Sequence, residues 1–501
     1  MSASTVPTSA TSGLPGPTPV FRVLLYGTAG LLVAALAAGF LLPLPWAWSI
    51  GFVYILYDTW LLGTMVRTSR RAVLDAGTAP PVLAIVPEPV SIAVLVAFRN
   101  ERVVLPQTLN ALLSQTERAE AIVLVDDGST DDSVLWVTAA YDVEFDGDLG
   151  RSRTEPSLLV IRKPHSGKAS SLNQALSLMV ANVVVTIDAD TMLAPDALGA
   201  VRRAFSADSE LTAACGVLAP VCSGDGTARA FQLFQTFEYL RAFLWRLAWM
   251  RDRTLVLVSG AFAAYRRSSL VAVGGFDATS RVEDYEVMFR LQRASLDAGH
   301  PLSVAVLGDA RAVTDAPASA RAFLRQRTRW FAGFLETMHR NADLVGSPRH
   351  GRFGTFLLPV KTIDMLLPVY GLAATLTLGL LLLRGFGLDA RLVAVIVAKL
   401  FFDMTCYARC IQLFERWQGR RPTAGLYGRA LVATLLEPVC FQLLRQLGAL
   451  LGWIAYLRGR IDWKPTRSGV VVNRRAETDD RTLSDAKFSD TRLRDHQNRE
   501  R

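Results

Sequence analysis

Residues 121–131 read AIVLVDDGSTD, a short apolar run that stops at two aspartates and a glycine. Ala121–Val125 has the composition of a buried strand, and Asp126-Asp127-Gly128-Ser129 is turn chemistry. The same alternation continues outward. Ser91–Phe98 is another apolar run, and Leu105–Leu113 has helical spacing. After a helical pattern from about Asp131, Leu158–Ile161 reads as a third strand and Lys168–Val180 as a helix. Val183–Ile187 then runs as a fourth strand into Asp188-Ala189-Asp190. Strands alternating with helices predict an α/β domain whose largely parallel sheet is covered on both faces. Ligands of such sheets bind beyond the carboxyl ends of the strands. Arg99-Asn100-Glu101, Asp126-Asp127 and Asp188–Asp190 all fall there.

Each motif has a plain structural reading beside a chemical one. Asp-Gly-Ser is ordinary in turns, yet at a strand end its carboxylates can accept hydrogen bonds from a base edge or a ribose. No glycine-rich phosphate loop of the Walker or G-x-G-x-x-G kind is present. Asp188 and Asp190 share one side of an extended segment, because strand side chains alternate. Two like charges so close invite a hard cation, Mg²⁺ or Mn²⁺, carrying diphosphate oxygens. Lys168 and Asn173 lie in HSGKASSLN, which opens a helix; a helix start with a lysine suits phosphate, but serine caps and a solvated lysine explain it equally. Glu283-Asp284 would sit in a helix's first turn, favoured by its dipole, or one acid would take a hydroxyl proton. Spacing does not choose between them. QRTRW at 326–330 lies in Ala322–Met338, whose apolar stripe reads as a surface-lying amphipathic helix. Gln326, Arg329 and Trp330 share a face of it, where Trp330 could stack on a sugar and Arg329 could pair with phosphate.

Half of the 501 residues are hydrophobic, and they are unevenly placed. Val20–Leu42 and Trp46–Val66 each match the roughly 20 residues needed to cross a bilayer core. Leu44-Pro45 between them predicts a helical hairpin. A cleaved signal peptide is disfavoured, since the first run is too long, lacks a basic start and meets a second span at once. Apolar runs return at Leu366–Leu383, Leu392–Phe414 and Ala430–Leu457. Arg67, Arg70 and Arg71 follow the second span, and Arg416, Arg420 and Arg421 follow the fourth. The positive-inside rule therefore puts these loops and the mixed-polarity region 67–352 in the cytoplasm, with Arg384–Arg391 outside. Ala430–Leu457 spoils the scheme, because Glu437 and Arg445 are costly in lipid unless paired or facing a cavity. Part of 425–457 is thus expected to be interfacial, re-entrant or channel-lining.

The expected layout is a disordered N-terminus at 1–19, a transmembrane hairpin at 20–66 and a cytoplasmic α/β domain at 67–352. C-terminal transmembrane and interfacial helices follow at 353–457, and a basic, largely disordered tail at 458–501. The net charge of +9 suits a face on anionic lipid and a site for diphosphate. With no aromatic-interleaved basic stripe or zinc-finger spacing, nucleic acid is not an expected partner. The five cysteines lack C-x-x-C spacing and imply no disulfide framework; Cys406 and Cys410 share a helix face, which reads as packing.

Taken in order, VDDGSTD (125–131), DAD (188–190), VED (282–284) and QRTRW (326–330) resemble the processive, membrane-integrated family 2 glycosyltransferases. These are the cellulose, hyaluronan, chitin and poly-N-acetylglucosamine synthases, and the resemblance covers about Val20–Arg467. It implies a GT-A, Rossmann-like cytoplasmic domain plus an all-α transmembrane region in the inner or plasma membrane. It also implies a nucleotide-sugar donor, UDP-linked, with Mg²⁺ or Mn²⁺ and a growing β-linked polysaccharide. By resemblance Asn100, Glu101, Asp126 and Asp127 serve the donor, and Lys168, Asp188 and Arg329 lie near its diphosphate. Asp190, with Asp188, would hold the metal, and Asp284 would be the base. Ser259, Gly260, Glu283, Gln326 and Trp330 would meet the acceptor. No segment resembles a cyclic-di-GMP receptor domain, which makes cellulose less expected. Rival readings are a non-processive transferase using a polyprenyl or other lipid acceptor, which usually lacks Q-x-x-R-W, and a non-catalytic membrane scaffold or transporter.

Overall fold

The computed structural model describes residues 16–43, 46–78, 89–224, 226–385 and 389–459. The expected Leu44-Pro45 turn, most of segment 1–19 and nearly all of the 458–501 tail lie outside the described residues. Two long helices come first, α1 (Pro19–Leu41) and α2 (Ser49–Thr78). A single ten-stranded sheet follows. Its strands are β1 (Ile92–Phe98), β2 (Ala121–Asp127), β3 (Val143–Asp146), β4 (Leu149–Ser152), β5 (Leu158–Lys163), β6 (Val183–Asp188), β7 (Thr191–Leu193), β8 (Leu211–Val221), β9 (Phe262–Arg266) and β10 (Ser303–Asp315). Helices α3 (Leu105–Leu113), α4 (Ser133–Ala140), α5 (Lys168–Leu178), α6 (Ala197–Ala207), α7 (Gly226–Arg251), α8 (Arg267–Ala272), α9 (Glu283–Asp297) and α10 (Ala320–Arg340) connect and cover it.

The sheet order is β3-β4-β5-β2-β1-β6-β9-β8-β10-β7. The block β5-β2-β1-β6 is parallel, as the strand–helix alternation predicts. Beyond it the sheet is mixed, because β9 runs antiparallel to both β6 and β8. The hairpin β3–β4 adds an antiparallel edge that the sequence reading does not contain. Ile92–Val96 of β1 is buried throughout, as is Ile122–Asp127 of β2. At about 1.5–3 kcal/mol per buried aliphatic side chain, these central strands anchor the domain. Register fixes the site: Phe98 pairs with Asp126, and Ala97 pairs with Asp188, so the three strand ends are level.

The C-terminal part comprises α11 (Leu358–Asp364), α12 (Leu367–Leu383), α13 (Ala390–Trp417), α14 (Ala424–Leu436) and α15 (Phe441–Leu457). Among the described residues three helices are long and apolar enough to cross a membrane, at Pro19–Leu41, Trp46–Asp75 and Phe353–Leu383. A fourth candidate is α14 with α15, bent by 48° at a short break. The first hairpin is tied to α12, where Trp48 Nε1 donates to the Ala374 carbonyl at 2.9 Å and Tyr370 donates to that of Thr28 at 2.6 Å.

Two details depart from the sequence reading. The expected span within α13 is not among the three candidate membrane helices: between Arg391 and Arg409, that helix carries Lys399 and Asp403 in its middle. Those charges are paired, since Lys399 meets Asp58 of α2 at 2.7 Å and also Asp403. The tryptophan helix α10 does not lie free on a surface. Phe323, Ala332 and Leu335 on it are fully buried, and Phe323 meets Phe441 of α15 with centroids 4.8 Å apart.

The difficult charges of the last span are also satisfied. Glu437 sits at the break between α14 and α15. It accepts from Arg241 of α7 at 2.7 Å and from Arg445 of α15 at 2.8 Å, and Tyr407 of α13 donates to it as well. Pairing of this kind is what a charge at membrane depth requires.

Candidate active site

The end of β2 organises a turn. Asp127 accepts from the Ser166 and Gly167 amides at 2.8 and 2.9 Å, from His165 Nδ1 at 2.7 Å and from Lys163 at 3.3 Å. Burial pushes its pKa up, but the Ser166 amide, His165 and the Gly167 amide outweigh that and hold it below the usual carboxylate range. Both oxygens are thus engaged, and Asp127 fixes the loop that starts α5. Gly128 has φ +75°, and a side chain there would come 2.8 Å from the His165 nitrogen. Asp126 is buried and accepts from the Ser129 amide at 2.9 Å. Asn100, at φ 57°, accepts from the Thr130 amide at 2.7 Å. These two brace the turn and lie outside the cavity described below, whereas Glu101 and Asp127 line it.

Lys168, the first residue of α5, joins two of the motifs. Its ammonium lies 2.6 Å from Asp188 and 2.9 Å from Glu283. Burial alone would lower its pKa, but the Asp188 and Glu283 charges win and hold it above the ordinary lysine value. Among the described residues no cation touches Asp190, on which the Lys168 charge acts only from a distance. Burial and the Asp188 and Asp315 charges push its carboxyl up to about 7. Thr314 donates to it at 3.4 Å. Asp315, which ends β10, is a site residue the sequence reading missed, because Asp309 and Arg311 interrupt the apolar pattern of that strand.

Glu283 and Asp284 do occupy the first turn of a helix, α9, and they differ in surroundings. Glu283 is neutralised by Lys168. Asp284 accepts from the Gly260 amide at 2.8 Å. Burial and the neighbouring Glu283 charge raise its pKa above the usual carboxylate range. Asn173 steadies the approach to α9, because its side chain exchanges two hydrogen bonds with the Phe276 backbone at 2.7 and 2.8 Å. Gly260 must stay small: a β-carbon there would sit 2.9 Å from Asp284 Oδ2. Gly260→Ala is therefore expected to displace the carboxylate and cut turnover about 100-fold, the scale of an ångström-sized misplacement. An unchanged melting temperature beside the lowered kcat would separate this from unfolding.

Gln326, Arg329 and Trp330 all face one cavity, as their shared helix face predicts. Arg329 donates to the Arg281 carbonyl at 3.2 Å. Gln326 Oε1 is buried without a hydrogen-bond partner, an acceptor waiting for a donor.

The cavity measures about 1620 Å³, and Asp127, Lys168, Asp188, Asp190, Asp284 and Trp330 all line it. Ser259, Gly260 and Glu283 line it too, and its wall continues onto Tyr54 and Asp58 of α2 and onto Gln442, Arg445 and Gln446 of α15. A pocket for one small ligand spans roughly 300–1,000 Å³, so this one has room for a donor and an acceptor together. Among the described residues no three His, Cys, Asp or Glu side chains form a ready metal cage.

Residues 93–274 match the model of Glycosyl transferase family 2. The poly-β-1,6-N-acetyl-D-glucosamine synthase of Staphylococcus aureus strain COL is 25% identical over 316 residues, 62% of this chain and 70% of that protein. The synthase of the same name from Staphylococcus epidermidis is 25% identical over 285 residues, covering 56% and 62%. A solved mannosyltransferase from Pyrobaculum calidifontis, in complex with GDP-Man and Mn²⁺, superposes with a TM-score of 0.50 at 18% identity. The match covers 78% of this chain and 99% of that one, and it shares the fold. With the sheet, the membrane-length helices and the four motifs gathered on one cavity, the chain carries a family 2 glycosyltransferase domain of the GT-A fold joined to a helical membrane region, and it is similar to the poly-N-acetylglucosamine synthases.

Proposed function

We propose that the enzyme transfers N-acetylglucosamine from its UDP-linked α-sugar to the end of a growing β-1,6-linked polysaccharide, with inversion at the anomeric carbon. The single observation that carries this reading is the shared cavity of Asp127, Asp190, Asp284 and Trp330. The sugar identity rests on the Staphylococcus synthases.

In this mechanism the loop held by Asp127 receives the nucleoside. Lys168 and Arg329 face the diphosphate, Lys168 exchanging one of its present acid partners for it. Asp284 takes the proton of the acceptor hydroxyl, whose oxygen attacks the anomeric carbon as the bond to diphosphate breaks. Trp330 stacks on the acceptor ring, and Gln326 Oε1 gains a hydroxyl donor. Asp188 and Asp190 fit a hard divalent cation. They are paired oxygen donors, Asp188 is 37% exposed, and the Asp188 and Asp315 charges crowd Asp190 more than the Lys168 charge offsets. Mg²⁺ characteristically binds one or two carboxylates plus substrate phosphates, which agrees with the lack of a full cage. Such an ion would offset charge on the departing diphosphate.

Arg67, Arg70 and Arg71 in the C-terminal part of α2, with Arg416, Arg420 and Arg421 about the end of α13, support a cytoplasmic catalytic domain. The extension of the cavity wall onto α2 and α15 supports a path for the product toward the bilayer. Purified full-length protein given a panel of UDP- and GDP-sugars with Mg²⁺ or Mn²⁺ should release UDP from UDP-N-acetylglucosamine and form high-mass product. Release from a different sugar alone would overturn the donor assignment. A single sugar added to a lipid would overturn the polymerase reading.

A further inference from the structure

The first of the two motif positions between Gln326 and Arg329 holds a residue to which neither the motif nor the mechanism above gives a role. Arg327 lies with its guanidinium carbon 4.5 Å from the ring centroid of Trp330 and 4.5 Å from that of Phe323. An indole has two faces, and this contact covers one of them. Arg327 is held in turn: its Nη2 lies 2.7 Å from Glu238 of α7, with both side chains only 14% exposed. Glu238 also faces Arg445 of α15 at 3.8 Å, and Arg445 shares Glu437 with Arg241. A chain of alternating charges therefore runs from the tryptophan to the break in the last span.

Backbone packing ties down the same place. Gly448 and Gly452 of α15 form a G-x-x-x-G face, the pattern that lets helices approach closely. A β-carbon at Gly448 would come 2.6 Å from Arg327 Cβ, and one at Gly452 would come 2.8 Å from Phe331 Cβ. The residues on either side of Trp330 are thus pressed by one helix.

We propose that Arg327 is a positioning residue for the acceptor. Stacked on one indole face and fixed by Glu238 and Gly448, it leaves the opposite face of Trp330 as the platform for the sugar. The position of α15 then sets where that platform lies. This rests on the reading of Trp330 as the acceptor contact. A guanidinium is suited to the task because it is flat and binds an aromatic face and a carboxylate at once; a lysine ammonium keeps the charge without the plane.

The test uses full-length protein in nanodiscs with UDP-N-acetylglucosamine and a short β-1,6-linked N-acetylglucosamine oligosaccharide. Arg327→Lys is expected to raise the acceptor KM about tenfold, the scale of a desolvated cation–π contact, and to shorten the product. The UDP Kd should stay at the wild-type value. Glu238→Gln and Gly448→Ala should shift the acceptor KM in the same direction. Trp330→Ala is the control. If Trp330→Ala raises the acceptor KM while Arg327→Lys does not, the positioning role is overturned. If Trp330→Ala leaves the acceptor KM unchanged, the acceptor assignment itself fails. Loss of UDP binding in Arg327→Lys would mark a general structural role and also overturn the proposal.

Discussion

Asp284→Asn is expected to lower kcat by about 10²–10⁴-fold, the usual contribution of a positioned general base, while UDP binding stays close to wild type. Asparagine keeps the shape and one acceptor oxygen for the Gly260 amide while giving up the bond from the Tyr285 amide, so an unchanged melting temperature beside the lowered kcat marks the loss as proton transfer rather than collapse of the loop. The pH profile gives a second readout with a definite sign. The base works only when ionised, and burial together with the Glu283 charge raises the pKa of Asp284. Activity should therefore fall as pH drops, on a limb displaced above the ordinary aspartate value of about 3.9. In the asparagine variant that acidic limb should vanish from the residual rate. Stopped-flow or steady-state UDP release across pH would check both expectations, and transfer near the wild-type rate would remove Asp284 from the role of base.

Asp190→Ala is the counterpart on the donor side. It should erase the gain in UDP affinity that Mn²⁺ provides, leaving binding equal with and without the ion. Losing a partner that merely orients a metal ligand costs about 10–100-fold, and removing a ligand should cost at least that much. Calorimetric titration of UDP with and without Mn²⁺ separates this variant from Asp284→Asn, which should retain the ion's effect. Identical behaviour of the two variants would contradict the division of roles between DAD and VED.

The sequence made legible what local pattern encodes. Leu105–Leu113 appears as a helix with the bounds its apolar spacing predicts, and the four parallel strands stand where the branched aliphatic runs fall. The hairpin of β3 and β4 was missed although Val143-Glu144-Phe145-Asp146 alternates, because each strand is only four residues long and β4 offers Leu149 as its one large apolar side chain. The mixed half escaped for another reason: β9 pairs antiparallel with β6 and β8 through contacts far apart in the chain, and no local pattern carries that direction.

At the site, the motifs foretold that Asp188, Asp190, Asp284 and Trp330 would meet. They did not foretell that Asp127 would spend both oxygens on the loop at 165–167, or that Asn100 and Asp126 would brace a turn instead of lining the cavity. Hydrogen-bond saturation is a property of the folded neighbourhood, not of a residue's type. The same holds for Glu437. As a letter in an apolar run it looked prohibitive, and its charged partners are Arg445 of the same stretch and Arg241, 196 positions away in the chain.

The close seat of α15 on α10 bears on how this enzyme can be handled. Cutting the chain after residue 352 would strip Phe323 of Phe441 and leave Arg327 and Glu238 without Arg445. A truncated catalytic fragment would thus carry a raw greasy flank and a loosened tryptophan, inviting aggregation and misleading kinetics. Biochemistry on this protein belongs in reconstituted lipid with every helix retained.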